Sequence, residues 1–333
     1  MARAVGNTAP LALSGRQTMS LAAVAFAGAF AAVFIDPLIG LPVAGAALAG
    51  LVYGGRNAIS VLVGLLAGLV ACGVLYGLAL PLLGSPVTVR ESVGQTALTM
   101  ASLLVVGPVA AVLMKRASAF MTAVVLTGAI TVDAVAKLAI PASIAGQSVT
   151  GYIESTLGVL ASEMGSTEEM VRMIVSTWPG MYIAIGGLTA LFVMVGVGAM
   201  GARFGVKTRQ VPPLVVLDLD VRTVMLPIAA IALLAAGKLP VSFASTLGIV
   251  GTNLLLVARL VFFLQGIAVF AGLYERAKFA RPVRLLGFVV LGATEMFVPA
   301  VSLTGLADMW LNLRRLPRDG VAPGRPGPTP DGV

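Results

Sequence analysis

The side chains most able to do chemistry in this chain are ionisable residues inside long apolar runs. Glu295 lies near the centre of the last apolar run, and Arg259 lies within the run before it. A charged side chain at the centre of a bilayer costs about 2.5–3.5 kcal/mol on insertion scales, so each of these residues needs a compensating role. One such role is a polar cavity between helices that binds a small solute or couples to an ion. The other is a structural lock in which Arg259 pairs with Glu295, and the sequence favours neither role.

Asp133 and Lys137 form a second candidate group. They lie four residues apart in an apolar run, which places them on one face of a helix, where they can neutralise each other. We therefore favour a structural role for this pair over a role in binding. Asn253 and Gln265 complete the candidates, each six residues from Arg259. Successive members of that trio are about 240° apart around a helix, so they do not form one stripe.

Composition excludes several kinds of chemistry. The chain contains no histidine and one cysteine, Cys72, which removes histidine-based triads, histidine-ligated metals and any disulfide framework. No segment has the spacing of a phosphate-binding glycine loop. Asp218 and Asp220 could bind Mg²⁺ in a loop, but an interfacial helix start with Arg222 as the partner is the better interpretation. We therefore predict a protein without a metal or organic cofactor and without a catalytic role.

The chain as a whole has the composition of a membrane protein. Apolar residues make up 58% of its 333 residues and charged residues 11%, and the mean hydropathy is +1.01. Soluble domains have about 45–50% apolar and about 25% charged residues, so lipid must be the solvent of this chain. The formal net charge of +8 is scattered between apolar runs, which is typical of cytoplasmic loops rather than of nucleic-acid binding. We predict an all-α, polytopic transmembrane helical bundle of about eight or nine spans.

Each span requires about 20 mostly apolar residues to cross a hydrocarbon core of ~30 Å. The predicted spans are Ser20–Ile35, Leu38–Tyr53, Ala58–Leu83, Val93–Met114, Phe120–Ile140, Met181–Gly201, Val221–Gly237, Val241–Tyr274 and Leu285–Leu306. The eighth is too long for one simple crossing, and we expect it to bend at Gly248 and Gly251. The first resembles a signal peptide, but apolar sequence continues directly past it, so we expect an uncleaved span.

The basic residues predict the orientation and the limits of the membrane domain. We expect a cytoplasmic N-terminal segment at 1–19, the transmembrane domain at 20–315 and a disordered, Pro/Gly-rich tail at 316–333. An amphipathic segment from about 141 to 180 lies on the outer face, with Ser166 and Glu169 as a capping box. Basic residues in alternate connections place the N-terminus in the cytoplasm. A basic tail conflicts with nine spans unless one late segment is re-entrant or the Val241–Tyr274 run crosses differently.

Two motifs near the C-terminus indicate a family. The run from Arg259 to Val269, which contains Phe262-Phe263-Leu264-Gln265-Gly266, and the ending from Gly305 to Arg314 resemble the YybS-like predicted membrane proteins, a bacterial family of unknown function. The resemblance covers most of the chain, from about Leu21 to Arg315. It marks Asp308, Trp310 and Arg314 as a C-terminal family motif. Asn312 stands where the resemblance leads us to expect an acid.

The first three spans are more distantly similar to the membrane substrate-binding subunits of energy-coupling-factor transporters. The similarity rests on the spaced alanines Ala23, Ala27 and Ala31, followed by Pro42 and a turn at Gly54-Gly55-Arg56. In those subunits the alanine face docks against a coupling subunit. The resemblance implies a small-solute-binding subunit of the bacterial inner membrane. It also implies other membrane subunits or an ATPase module as partners, since this chain has no ATP-binding motif.

The sequence therefore supports three functional hypotheses. The first is a non-enzymatic, multi-pass inner-membrane protein that resembles a transporter subunit and binds a small solute. The alternative is a membrane scaffold of the cell-envelope or cell-shape machinery, in which polar residues only hold helices together. The third and least supported is an intramembrane lipid-modifying enzyme. It would need clustered acids or an exposed nucleophile, and Glu295, Asp133 and Asp308 are not spaced to form such a cluster.

Overall fold

A computed structural model describes residues 89–164, 168–203 and 214–316, together with scattered positions between 19 and 71. All regular structure within these ranges is helical, which confirms the all-α prediction for them. The chain divides into two compact units, Met1–Val211 and Pro212–Val333. The predicted spans Ser20–Ile35, Leu38–Tyr53 and Ala58–Leu83 lie outside the continuous ranges, as do the N-terminal segment and the tail beyond residue 316.

The first unit contains α1 (Val89–Arg116), α2 (Ala119–Ile144), α3 (Val149–Met164) and α4 (Glu168–Arg203). Helices α1, α2 and α4 pack against one another, and α3 packs on α2 and α4. Ser118 starts α2 as its N-cap, because its side chain accepts a hydrogen bond from the Met121 N–H at 3.2 Å. Helices α2 and α4 approach closely at Gly186, where an added Cβ would meet the Thr131 side chain. The small glycine therefore sets the spacing of these two helices.

The predicted spans of the first unit fall within longer helices. Val93–Met114, Phe120–Ile140 and Met181–Gly201 lie in α1, α2 and α4. The predicted amphipathic segment is divided between α3 and the first turns of α4, which continues through Pro179 into the apolar run. Ser166, the first member of the predicted capping box, lies outside the described residues.

The second unit is built around one long helix, α6 (Ala244–Arg276), on which α5 (Met225–Ala236), α7 (Arg281–Phe297) and α8 (Ala300–Leu311) pack. Two short 3₁₀ turns, Leu214–Val216 and Val221–Val224, precede α5. An added Cβ at Gly251 would meet the α5 backbone at Ala230 and Leu234. Gly248 and Gly251, where we predicted a bend, therefore serve the close packing of α5, and α6 continues through them unbroken.

The predicted last span, Leu285–Leu306, is wrong as a single helix. It is divided between α7 and α8, which are bent by 102°. Pro299 explains the break, because proline has no N–H and disfavours helical backbone in the residue before it. Val298 is accordingly extended, with φ −134° and ψ 126°.

Both ends of the α7–α8 pair lie at the C-terminal end of α6. Helix α7 begins shortly after Arg276, the last residue of α6. Beyond α8, the Leu313 and Arg314 carbonyls accept hydrogen bonds from the Arg276 guanidinium, the first at 3.1 Å. Between these ends, Ser302 contacts Arg259 and Asp308 contacts Gln265. Helix α8 thus runs beside α6 in the same direction, toward Arg276.

By length and composition, four helices among the described residues could cross a membrane, namely α1, α2, α4 and α6. The number is up to five if the bent pair α7–α8 counts as one span. The predicted span Val221–Gly237 forms a shorter apolar helix, the 3₁₀ turn Val221–Val224 followed directly by the 12-residue α5, and it is not one of the four long helices. The prediction of eight or nine spans also included the first three apolar runs, which lie outside the continuous ranges that the structure describes. The described part alone is that of a multi-pass membrane protein.

Candidate functional site: two polar clusters on one long helix

The Glu295 carboxylate lies between α6 and the N-terminus of α8. Its Oε1 accepts a hydrogen bond from Arg259 Nε at 2.9 Å, and its Oε2 accepts from the backbone N–H groups of Val301 and Ser302 at 3.0 and 3.1 Å. The Arg259 guanidinium also donates to the Glu295 carbonyl. The Ser302 hydroxyl is within hydrogen-bond distance of Glu295 Oε1 and of the Arg259 carbonyl. We call Arg259, Glu295 and Ser302 the Glu295 lock.

The helix break explains why a carboxylate is needed at this point. Pro299 is the N-cap of α8 and offers no side-chain acceptor, so the first N–H groups of α8 need another partner. Glu295, near the end of α7, places a negative charge at the positive end of the α8 dipole. Its side chain is buried, and Arg259 supplies the opposite charge from α6. The lock therefore joins three helices and leaves its charged groups compensated.

A second cluster lies where α8 ends. Arg314 donates through Nε and Nη2 to Asp308 Oδ2 at 3.1 and 2.8 Å, and through Nη1 to the Val215 carbonyl at 3.0 Å. Gln265 Nε2 donates to Asp308 Oδ2 at 3.1 Å and to Asp218 Oδ1 at 3.3 Å. Asp218 Oδ1 is also 3.4 Å from Arg314 Nη2. Gln265 and Asp308 are completely buried. We call Asp218, Gln265, Asp308 and Arg314 the Arg314 clamp.

The chain reverses at Asn312, and this turn brings Arg314 back to Asp308. Asn312 has φ 44° and ψ 52°, a left-handed conformation that asparagine adopts more readily than most residues. Its side-chain amide donates to the Leu316 carbonyl and accepts from the Leu316 N–H, both at 2.8 Å. The residue at which the chain departs from the family resemblance therefore suits the turn that it forms.

The remaining sequence-predicted residues lie elsewhere. Lys137 Nζ is 2.7 Å from Asp133 Oδ2 within α2, so this pair forms as its spacing predicts, and it belongs to the first unit. Asn253 donates to the Ile249 carbonyl of its own helix at 2.8 Å. Trp310 is 61% exposed, whereas Asp308 and Arg314, the other members of the predicted motif, are joined in the clamp.

Sequence reasoning missed the roles of Ser302 and Asp218. Ser302 lies in the first turn of α8, after Pro299. Glu295 lies shortly before this proline, and an acid in that position is a usable sequence signal for a cap on the following helix. For Asp218 and Asp220 we preferred an interfacial helix start with Arg222 as the partner over an Mg²⁺ site, but Asp218 contacts Gln265 and Arg314. The backbone N–H of Arg222 donates to Asp220 at 2.8 Å. Within the described ranges, no group of three or more Asp, Glu, Cys or His side chains could hold a metal ion.

Long apolar helices joined by buried charged pairs are typical of an integral membrane protein, and comparison with protein families agrees. The family described as "Predicted membrane protein (DUF2232)" matches residues 56–309, more than half of the chain. The chain belongs to this family. No curated protein and no solved structure matches it. The DUF2232 match contains the whole Glu295 lock and most of the Arg314 clamp.

Membership of DUF2232 confirms part of the predicted resemblance. It shows a family of membrane proteins of unknown function, and the helices imply a lipid bilayer as the environment. The YybS-like name and the similarity to energy-coupling-factor subunits stay predictions. The matched range begins at Arg56, so Ala23, Ala27, Ala31 and Pro42 precede it.

Proposed function

We propose that this DUF2232 protein is a non-enzymatic, multi-pass subunit of the bacterial inner membrane that binds a small solute for transport. The broken helix pair α7–α8 is the observation that carries the proposal. Discontinuous helices recur in transporters, where helix ends and unwound backbone near the bilayer midplane form the binding site. Irregular backbone at membrane depth is tolerated where protein or a water-filled cavity surrounds it. At Pro299 the Glu295 lock provides such surroundings.

A re-entrant path for α7–α8 is part of this proposal. The hydrogen bonds of Arg276 hold the residues after α8 at the end of α6 where α7 begins. If the helix pair α7–α8 enters and leaves the membrane on the same side, the tail lies on the side of the membrane that carries Arg276, Lys278, Arg281 and Arg284. All these residues, and the basic residues of the tail, would then face the cytoplasm, as the positive-inside rule requires. With the shorter apolar helix Val221–Ala236 also taken as a crossing, this path resolves the conflict between a basic tail and nine spans.

A positioning role suits the described polar side chains better than catalysis. A general acid or base must reach a proton of its substrate, whereas Glu295 is engaged by Arg259, Val301 and Ser302. We therefore propose no reaction at this site. Because the chain carries no ATP-binding motif, the energy for transport would come from separate membrane or ATPase subunits.

A membrane scaffold of the cell-envelope machinery is the second candidate. It is favoured by the Glu295 lock and the Arg314 clamp, in which charged groups are satisfied by residues of the same chain. Ion pairs and hydrogen bonds within the chain are all that a purely structural role requires of these residues. The two candidates differ in what accompanies the protein from the membrane, a small solute or envelope proteins.

Native mass spectrometry of the purified full-length protein tests the proposal. We expect a bound molecule of metabolite mass on the wild type and its loss in Pro299→Ala, because alanine allows α7 and α8 to run together as one helix. Pro282→Ala is the matched control, since Pro282 lies in the first turn of α7, where proline is tolerated. A wild type that carries no solute but co-purifies with envelope-synthesis proteins would instead support the scaffold.

A further inference from the structure

Five basic side chains are grouped where α6 ends, α7 begins and the chain returns after α8. Four of them, Arg276, Lys278, Arg281 and Arg284, lie in the segment 276–284, which contains no acidic residue. The fifth, Arg315, is held at the same end of α6 because Arg276 donates hydrogen bonds to the two preceding carbonyls. All except the half-buried Arg284 are exposed. We call these five residues the basic rim.

The basic rim differs from four other described cations in its partners. Lys137, Arg259 and Arg314 each pair with a carboxylate, and so does the exposed Arg172. Among the described residues, no carboxylate forms an ion pair with a rim side chain, while Arg284 donates to the Phe279 carbonyl at 2.8 Å. The positive charge of the rim is therefore available to an external anion.

The acidic residues at this end of the unit do not neutralise the rim. Asp218 contacts Arg314 and Gln265 in the clamp. Asp220 accepts the backbone N–H of Arg222. Glu275, which directly precedes Arg276, is exposed and offsets one of the five charges. The rim keeps a clear positive surplus.

Aromatic and apolar groups place the rim at the boundary between hydrocarbon and headgroups. The Tyr274 ring lies 5.6 Å from the Phe279 ring and 5.4 Å from the Phe288 ring, between centroids. Aromatic side chains that carry a polar group favour the headgroup level of a membrane. Along α7, beyond the rim, Leu286 and Val290 are mostly exposed. An apolar helix face thus continues directly into a patch of cations.

We propose that the basic rim binds the headgroup of an anionic phospholipid, whose acyl chains lie along the apolar face of α7. Four of the five rim residues are arginine, whose planar guanidinium matches the oxygens of a phosphate. Basic clusters next to a membrane helix attract anionic lipids over a Debye length of about 8 Å at physiological salt. The proposal rests on the rim and on α7, so it holds for a transporter subunit and for a scaffold.

Binding of acyl-chain-labelled phosphatidylglycerol to the full-length protein in neutral detergent tests the proposal, with phosphatidylcholine carrying the same label as the zwitterionic comparison. The wild type should prefer phosphatidylglycerol. The triple variant Lys278→Gln/Arg281→Gln/Arg315→Gln should bind it at least about tenfold more weakly, since each basic residue contributes to the attraction. The control Arg172→Gln/Lys238→Gln, which removes exposed cations elsewhere, should bind like the wild type.

Folding is controlled by a charge-conserving variant, Lys278→Arg/Arg281→Lys/Arg315→Lys, which should retain the preference. Equal affinity for the two lipids, or equal weakening by the triple variant and the control, would overturn the proposal. So would displacement of the lipid by millimolar inorganic phosphate, since the rim would then be a site for free anions. Binding of an acidic protein segment in place of lipid would also reject it.

Discussion

Arg259 Nε lies 2.9 Å from Glu295 Oε1, and this ion pair joins the middle of α6 to the break between α7 and α8. The sequence left two roles open for these residues, a solute cavity and a structural lock. In the structure the carboxylate also caps α8 through the N–H groups of Val301 and Ser302. Its hydrogen bonds are thus made within the chain. A solute that binds at the break must therefore bind beside Glu295 or displace it.

The first prediction is that Arg259 and Glu295 are energetically coupled. Glu295→Gln should cost roughly 1.5–3 kcal/mol of stability, because it removes charge-assisted hydrogen bonds. Arg259→Gln should cost less, since the Arg259 side chain is 39% exposed. The stability lost in the double variant should be smaller than the sum of the two single losses by about 0.5–3 kcal/mol. Chemical unfolding in detergent measures the cycle, and strictly additive costs would show that the pair is no lock.

The second prediction concerns the Arg314 clamp. Asp308→Asn leaves Arg314 buried without its closest carboxylate. We expect a loss of roughly 3 kcal/mol, the lower end for a broken buried pair, because Asp218 and backbone carbonyls still contact Arg314. Glu168→Gln is the control, since it breaks the exposed Arg172–Glu168 pair, which should contribute only about 0–1 kcal/mol. Thermal unfolding compares them, and equal shifts in Tm would contradict the buried role of the clamp.

The third prediction tests the contact between α6 and α8. In Gly305→Ala, the new Cβ would collide with the Phe262 carbonyl and the Gly266 nitrogen, backbone atoms that cannot rotate away. Overpacking of this kind costs about 1–3 kcal/mol, and occasionally more. At Gly292 nothing lies within 4 Å of an added Cβ, so Gly292→Ala should be neutral or stabilising by up to about 1 kcal/mol. Yield and Tm in detergent should separate the two variants; similar values would mean that α8 does not lie against α6.

Composition and local spacing predicted the structural features that depend only on short stretches of sequence. The apolar runs in α1, α2 and α4 exceed the length of a crossing, and the polar connections that flank them mark their limits. The Asp133–Lys137 pair followed from its four-residue spacing, because that spacing alone brings the two side chains together on a helix. These features do not depend on the packing of distant segments.

The break at Pro299 and the Arg314 clamp were not predicted, for two different physical reasons. Hydropathy does not report the direction of the backbone, so a continuous apolar run is predicted as one helix even where the chain turns. Pro299 was nevertheless a usable signal for the break. Asp218 and Arg314 are 96 residues apart, and only the packing of the 214–220 segment against α6 and the residues after α8 brings them together. Local pattern carries no information about such a contact.

The fourth prediction is that Asp133 and Lys137 only neutralise each other and do not bind a ligand. Asp133→Leu alone leaves Lys137 without its partner in a membrane helix, which costs about 2.5–3.5 kcal/mol on insertion scales. Asp133→Leu/Lys137→Leu should restore stability, because no charge is then left unpaired. Expression level and Tm measure the recovery. A double variant that is stable but has lost the bound solute would assign the pair to binding.

The last prediction follows from the re-entrant path of α7–α8. In a Cys72→Ser background, Ala280→Cys and Leu313→Cys flank the pair, and Lys238→Cys marks the α5–α6 connection at the other end of α6. All three positions are exposed. In intact spheroplasts an impermeant maleimide should label position 238 but not 280 or 313, and permeabilisation should make both of these reactive. Labelling of 280 and 313 from opposite sides would show a complete crossing. The basic tail would then lie outside, against the charge pattern of the other connections.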